Sequence, residues 1–434
     1  MAPGSISGGL VSESSDMVVT GSAGRAPSIE SGVPAYADAA DAELGTGRIM
    51  PPPTPARPGP RPQAGLLTAG EHDDLLNPRL YANYVEQSNL AQRIRDLPRV
   101  DTERVLTVRA VDGNGRPVPF ADIVITCSDG NRLTLATQAD GTAAFFPDLD
   151  RLSPQMSIAA RYRGALGGVV NEQRVTLGAG AQTIDIPVNV RIAPAIRRLD
   201  LALVIDTTGS MGDEIRFLQS ELSSIVGSLQ QRHPQLDIRV GFVFYRDVGD
   251  DYVTRTVPLG SNLGNAQDVL EQQSAGGGGD YPEAMDQALI RAAGLAWRPD
   301  AVKTMLLVAD APPHDDLYGR SWHAAEVLRA QRVHITPVAA SGVADEAEYA
   351  MRAMAALSQS RYLFLTDDSG IGNAHAAPAI DCYLVTRLDA LLRRVIDSQL
   401  SGRRIEPQDQ EVIRTVGQYD AGRCVLPADF GQKG

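Results

Sequence analysis

The chain has 434 residues and a formal net charge of −13, from 40 Lys and Arg against 53 Asp and Glu. At about 150 residues per domain this length predicts two or three domains and excludes a single small one. The acidic balance, the absence of any Lys/Arg run and the presence of only two lysines, Lys303 and Lys433, argue against a nucleic-acid partner, which needs a cationic face.

No stretch reaches the roughly 18 uninterrupted apolar residues of a membrane-spanning helix. Met1 to Leu10 lacks the basic and apolar regions of an export signal. A precursor trimmed to this form would look the same, so the compartment stays open. Three cysteines are too few for a disulfide framework, and none has CxxC spacing. Cys127 reads as a buried free thiol, and a bridge between Cys382 and Cys424 is left open.

Residues 1–66 are rich in Gly, Ser, Ala and Pro and end in a proline run from Pro51 to Pro62. Such a composition does not close a core and reads as a disordered tail. Residues 67–101 read as a short helical linker: Pro78 sits near a helix start and apolar residues follow at helical spacing through Leu90 and Ile94.

Residues 102–193 alternate in the manner of short strands, with Asp112-Gly113-Asn114-Gly115, Asp129-Gly130 and Asp140-Gly141 as turns. The expectation is a small β-sandwich. Its order of strands and turns, carried by Asp112, Gly113, Gly115, Pro117, Pro119, Asp140, Gly141, Ala144 and Phe146, resembles carboxypeptidase-regulatory-like or Ig-like sandwiches. The absence of lysine from this segment excludes the Lys–Asn crosslink that some pilin-like relatives form.

From about residue 196 to 403 the rhythm becomes strand, helix, strand. Strands are expected at Leu199–Ile205, Ile238–Tyr245, Met305–Ala309, Val333–Val338 and Tyr362–Leu365. Helices are expected at Glu214–Leu229, Pro282–Leu295, His323–Gln331 and Leu384–Leu400. Such alternation predicts a doubly wound α/β domain with a mostly parallel sheet, whose ligands bind at the carboxyl ends of the strands. Residues 404–434 form a C-terminal extension.

The first of those strand ends carries Asp206, Thr208 and Ser210 at i, i+2 and i+4, so that three side-chain oxygens point the same way. Asp310 follows another buried strand, and Asp280 follows the run Gly276–Gly279. Converging oxygens suit a hard cation: Mg²⁺ or Mn²⁺, with Ca²⁺ also compatible. Taken alone, Asp206, Thr208 and Ser210 would serve equally well as a solvated helix cap. No P-loop, G-x-S-x-G or H-E-x-x-H motif occurs. The Asp-Thr-Thr-Gly-Ser order departs from an aspartic-protease motif by one threonine.

These residues resemble the von Willebrand factor type A domain and its metal-ion-dependent adhesion site. The family's D-x-[ST]-x-S motif falls on Asp206, Thr208 and Ser210, and its late aspartate on Asp310. Its Gly-loop threonine falls, by position, on Asp280. Phe244 to Asp247, Gly279 to Ala284 and Asp310 to His314 are similar to bacterial and protist members. The resemblance implies a non-enzymatic module in which a Mg²⁺-type ion recognises a partner protein, with an acidic side chain of the partner completing its coordination. It also implies placement outside the cytoplasm. An aspartate at position 280 would strengthen metal binding and weaken the pull on an acidic ligand. Two alternatives stand beside this reading. One is a metal-dependent phosphoester hydrolase with His314 or a spare carboxylate as base; the other is an assembly subunit in which the metal only stabilises.

Overall fold

The computed structural model describes residues 63–162, 171–190, 193–372, 374–427 and 430. The tail expected over residues 1–66 lies outside the described residues except for 63–66. The described chain opens on strand β1 (Thr68–His72), followed by helices α1 (Pro78–Ser88) and α2 (Leu90–Arg93). Pro78 occupies the first turn of α1, where no intrahelical N–H is needed, and Asn89 takes a left-handed φ of 57° between the helices. Tyr81, Val85 and Leu90 are buried, so this segment packs as part of the body.

Seven strands follow: β2 (Leu106–Val111), β3 (Asp122–Cys127), β4 (Arg132–Ala136), β5 (Thr142–Phe145), β6 (Gln155–Arg161), β7 (Asn171–Thr176) and β8 (Gln182–Pro187). They form a three-stranded sheet, β5-β2-β8, and a four-stranded one, β4-β3-β6-β7. Both contribute to one core, with Leu106, Val108 and Phe145 from the first and Ile123, Ile125 and Ile158 from the second. In the first turn the Asp112 carboxylate accepts the Asn114 and Arg116 N–H groups at 2.8 and 2.9 Å. Gly141 has a φ of 75°, and a Cβ there would come within 2.8 Å of Pro117. This module is tied to the rest by Arg329, which donates to both Asp150 oxygens at 2.8 and 2.7 Å.

The larger part comprises β9 (Arg198–Asp206), α3 (Ile215–Arg232), β10 (Asp237–Tyr245), β11 (Thr254–Gly260), α4 (Leu263–Glu271), α5 (Met285–Ala293), β12 (Val302–Ala309), α6 (Tyr318–Ala330), β13 (Val333–Ala339), α7 (Asp345–Leu357), β14 (Tyr362–Thr366), β15 (Tyr383–Arg387), α8 (Leu388–Ser401) and β16 (Arg414–Val416). Its sheet has nine strands in the order β11-β10-β9-β12-β13-β14-β1-β15-β16. Strands β10, β9, β12, β13 and β14 pair in parallel, and β11, β1 and β16 run against their neighbours. Side-chain alternation along β9 feeds two cores. Leu199, Leu201, Leu203 and Ile205 pack with α3 and α8, while Ala202 and Val204 face α5, α6 and α7 on the other side. The domain is thus mixed α/β with helices on both faces of a mostly parallel sheet.

Five features differ from the sequence expectation. The segment expected as a helical linker begins with β1, whose residues Thr68–His72 pair antiparallel with β14 and complete the sheet. The helix expected from Leu384 starts instead at Leu388. The aromatic and β-branched residues of Tyr383–Arg387 form a strand between β1 and β16. Helix α7 was not anticipated; it is buried over Ala347–Leu357, with Glu348 and Arg352 among the buried side chains. Strand β11, an edge strand carrying Pro258, and α4 were also missed.

The C-terminal extension packs on this body. The Asn77 amide donates to Gly422 O at 2.8 Å and accepts from Cys424 N at 2.8 Å, and Cys382 and Cys424 are joined by a disulfide. Cys127 is a buried free thiol. Among the described residues no helix is long and apolar enough to cross a membrane.

Candidate metal centre

The centre of the sheet places Asp206 at the carboxyl end of β9, beside Tyr245 of β10 and one residue beyond the Ile205–Val308 pairing with β12. Asp206, Thr207 and Thr208 are fully buried. The Asp206 Oδ1 atom accepts the Thr208 N–H at 2.9 Å and the Thr208 hydroxyl at 2.6 Å. The Thr208 and Ser210 hydroxyls are 3.1 Å apart. The i, i+2, i+4 spacing therefore does bring these three side chains together, in a turn that continues as the 3₁₀ segment Gly209–Asp213.

Glycines let a second loop approach this turn. Gly209 N donates to Gly277 O at 3.0 Å, and a Cβ on Gly209 would sit 2.8 Å from that oxygen. Arg246, at the end of β10, braces both loops by donating to Thr207 O at 3.1 Å and to Ser274 O at 3.0 Å. Its guanidinium also lies over the Tyr252 ring, which identifies it as a strut rather than a free ligand contact. His314 pairs with Asp247 at 2.7 Å. Burial opposes its imidazolium form, but the Asp247 hydrogen bond and charge outweigh that and raise its pKa.

Asp310 is buried immediately after β12, close enough to Asp206 for its charge to oppose ionisation there. Asp280 is exposed on the loop and does not enter the buried cluster. The carboxylate that does enter is Glu283, 3% exposed, which sequence reasoning passed over. A Cβ on Gly278 would meet Glu283 Oε1 at 2.9 Å and the Thr208 Cβ at 3.4 Å, so this side chain lies against the first turn. The available signal was Pro282-Glu283 just ahead of α5, a charge at the start of a helix otherwise facing the core.

Electrostatics sets this cluster apart. Burial and the neighbouring Asp310 raise the pKa of Asp206. Burial, then the charges of Asp206, Asp247, Asp310 and Asp250, push Glu283 up to about 9. Glu283 Oε2 is buried without a hydrogen bond, and Asp206 Oδ2 has no close one, only the Tyr245 hydroxyl beside it, an arrangement that costs free energy unless something positive completes it. Among the described residues no three His, Cys, Asp or Glu side chains close into a cage. An ion here would need hydroxyl oxygens and water besides carboxylates. Two hydroxyls with crowded, unsatisfied carboxylates fit a hard divalent cation.

The fold and this strand-end cluster define a class: an α/β domain with an oxygen-rich site at the carboxyl edge of its sheet. Residues 200–376 match the family model of the von Willebrand factor A domain, and the chain carries such a domain there. Two curated relatives align over part of it. The alpha-protein kinase vwkA of Dictyostelium discoideum is 29% identical over 136 residues, which is 31% of this chain and 22% of the relative. The putative ariadne-like RING finger protein R811 of Acanthamoeba polyphaga mimivirus is 36% identical over 137 residues, 30% of this chain and 12% of the relative. The chain thus spans less than a quarter of the length of either. Similar solved structures include BatB of Bacteroides thetaiotaomicron, at 13% identity and TM-score 0.31, covering 47% of this chain and 98% of that one. The pilus adhesin SpaC of Lactobacillus rhamnosus GG follows, at 11% identity and TM-score 0.34, covering 57% and 32%.

Proposed function

We propose that this protein is a non-enzymatic recognition module that binds a partner protein through a divalent cation at the carboxyl edge of its von Willebrand factor A domain. The observation that carries this reading is the meeting of the buried Asp206, Thr208, Glu283 and Asp310 with the exposed Ser210 hydroxyl, where carboxylate oxygens are left unsatisfied. Thr208 and Ser210 would ligate through their hydroxyls, and Asp206, Asp310 and Glu283 directly or through water. The ion, Mg²⁺ or Mn²⁺, would supply a Lewis-acidic position to which a partner's side-chain oxygen binds. The chain's own contribution is rigidity, since Arg246 and the Gly209–Gly277 contact hold both loops in place before any ligand arrives.

The extra carboxylate bears on the partner. Once a bound cation displaced its proton, Glu283 would give the site more negative charge than two aspartates alone, so the ion would retain less attraction for an acidic residue. An extracytoplasmic location belongs to the same proposal. The Cys382–Cys424 disulfide supports it, because such bonds persist in oxidising compartments.

Thermal unfolding of the wild type and of Asp206→Ala, in EDTA and in millimolar Mg²⁺, Mn²⁺ or Ca²⁺, tests the reading. A ligand bound only to the native state raises Tm, so the cation should stabilise the wild type and leave the variant unmoved. Equal responses from both proteins, or none from either, would remove the metal from the mechanism. Capture of partners with and without EDTA then separates recognition from a purely stabilising ion.

A further inference from the structure

The opposite, amino edge of the sheet holds a cavity of about 310 Å³ between the β4–β5 turn, the strand starts of the α/β body and the C-terminal extension. His334, on its lining, is in register with Thr304 and Leu201, five residues along the strands from the level of Asp206. At about 3.3 Å per residue the cavity and the candidate metal centre are separated by roughly 17 Å of strand. In a chain of net charge −13, the lining includes Arg361, Arg403, Arg404 and Arg423 against the carboxylates Asp73 and Asp140.

The hydrogen bonds divide these groups. Arg361 is neutralised by Glu71 at 2.6 Å, and Arg404 pairs with Asp73 at 3.4 Å and with Glu406. Asp73 also accepts the Leu75 N–H at 3.1 Å. Asp140 accepts the Thr142 N–H and hydroxyl at 2.9 and 2.8 Å. Among the described residues, Arg403 and Arg423 have no carboxylate partner. Arg423 donates one N–H to Leu76 O, at 3.3 Å.

Both of these arginines emerge from held backbone. The Arg423 backbone lies opposite that of Asp420 in the ladder across a two-residue turn in which Ala421 and Gly422 have φ of 46° and 86°. The next residue, Cys424, is bonded to Cys382. Arg403 follows Gly402, which ends α8 at a φ of 66° so close to Asp140 that a Cβ would come within 2.8 Å.

We infer that this cavity is a binding site for a phosphate monoester, gripped by the guanidinium groups of Arg403 and Arg423. A guanidinium fork matches two phosphate oxygens, and a dianion balances two unpaired cations in a way that a single carboxylate does not. The volume lies at the lower end of small-ligand pockets and suits a compact ester. The same chemistry occurs in a soluble metabolite and in a phosphatidic acid headgroup, and the test separates these sources. The site is independent of the metal reading.

Calorimetric titration of the full chain with inorganic phosphate and with glycerol 3-phosphate gives the soluble arms; co-sedimentation with phosphatidic acid vesicles, against phosphatidylcholine vesicles, gives the lipid arm. Saturable glycerol 3-phosphate binding is expected. Arg403→Gln and Arg423→Gln should each weaken it about tenfold, and the pair should abolish it, while Asp206→Asn leaves it unchanged. Both arginines are exposed, so the variants should keep the wild-type Tm, and Arg403→Lys, with one point charge retained, should bind at an intermediate level. Arginine-dependent capture by phosphatidic acid vesicles alone would assign the site to the headgroup. The proposal is overturned by no binding in any arm, or by a double variant that binds like the wild type.

Discussion

Strand β9 carries a fully buried aspartate near each end, and the protein treats the two in opposite ways. At the amino end, Asp200 accepts from Arg239 at 2.9 and 2.7 Å, and from the Arg298 backbone and side chain at 2.8 Å each, so both of its oxygens are satisfied twice over. At the carboxyl end, Asp206 faces Asp310 and Glu283, and one of its oxygens has no close hydrogen bond, only the Tyr245 hydroxyl beside it. Identical side chains on one strand thus do different work. A carboxylate whose charge is fully answered holds the fold, and one whose charge is compounded by its neighbours is the kind of group that the proposed cation would answer.

The largest effect should come from removing the satisfied carboxylate. Asp200→Ala takes from Arg239 its carboxylate partner and leaves Arg298 with Asp237 alone, at 2.5 Å, and breaking a buried pair costs about 3–5 kcal/mol. Both arginines keep some solvent access, at 19% and 14% exposed side chain, which places the expected loss toward the lower figure. Urea unfolding should show a lower midpoint at an unchanged slope. A loss below about 1 kcal/mol would show that the two ends of the strand are alike after all.

The next effect sharpens the amino edge through pH. His334 is buried with Nδ1 3.1 Å from Ser358 O and Gln359 O, and burial pushes its pKa down to about 4. The folded state therefore resists a proton that the unfolded chain accepts near pH 6.5. Its penalty is absent above that pH, grows as pH falls from 6.5 to 4, and reaches about 3 kcal/mol below both values. Unfolding free energies at pH 7, 5 and 4, in phosphate-free buffer, should fall more steeply for the wild type than for His334→Gln. Parallel slopes would remove this histidine from the acid sensitivity of the fold.

Much of this was legible in the sequence, and the reasons for what was not are physical. The continuous apolar run of β9 and the stripe of α3 announced an α/β sheet, and the spacing of Asp206, Thr208 and Ser210 announced their convergence. A five-residue strand such as Thr68–His72, which reaches its partner β14 across almost three hundred residues, leaves no local periodicity to read. Glu283 was hidden for a related reason. Position in a loop suggested Asp280, whereas the turn after Pro282 sends Glu283 inward and leaves Asp280 outside.

A smaller effect, of opposite sign to that at Asp200, is expected at the carboxyl edge. Asp206→Asn keeps an oxygen for the Thr208 hydrogen bonds and removes one of the mutually repelling charges. In EDTA it should therefore raise stability by about 1 kcal/mol, and it should abolish any rise in Tm with Mg²⁺. Destabilisation in EDTA as large as that of Asp200→Ala would contradict the reading of Asp206 as an unanswered charge.

The finest discrimination lies between Glu283 and Asp280. A carboxylate inside the low-dielectric cluster acts on a cation with little screening, whereas one on an exposed loop acts through water and salt. Glu283→Gln should lower the affinity for Mg²⁺, read from the concentration dependence of Tm, by about tenfold, and Asp280→Asn by no more than about twofold. Added salt should erase the Asp280 effect first, because only that charge is open to the counterion atmosphere. If Asp280→Asn proves the more damaging at every ionic strength, the loop closes on ligand binding and brings Asp280 into the cluster, and the extra negative charge at this edge belongs to it rather than to Glu283.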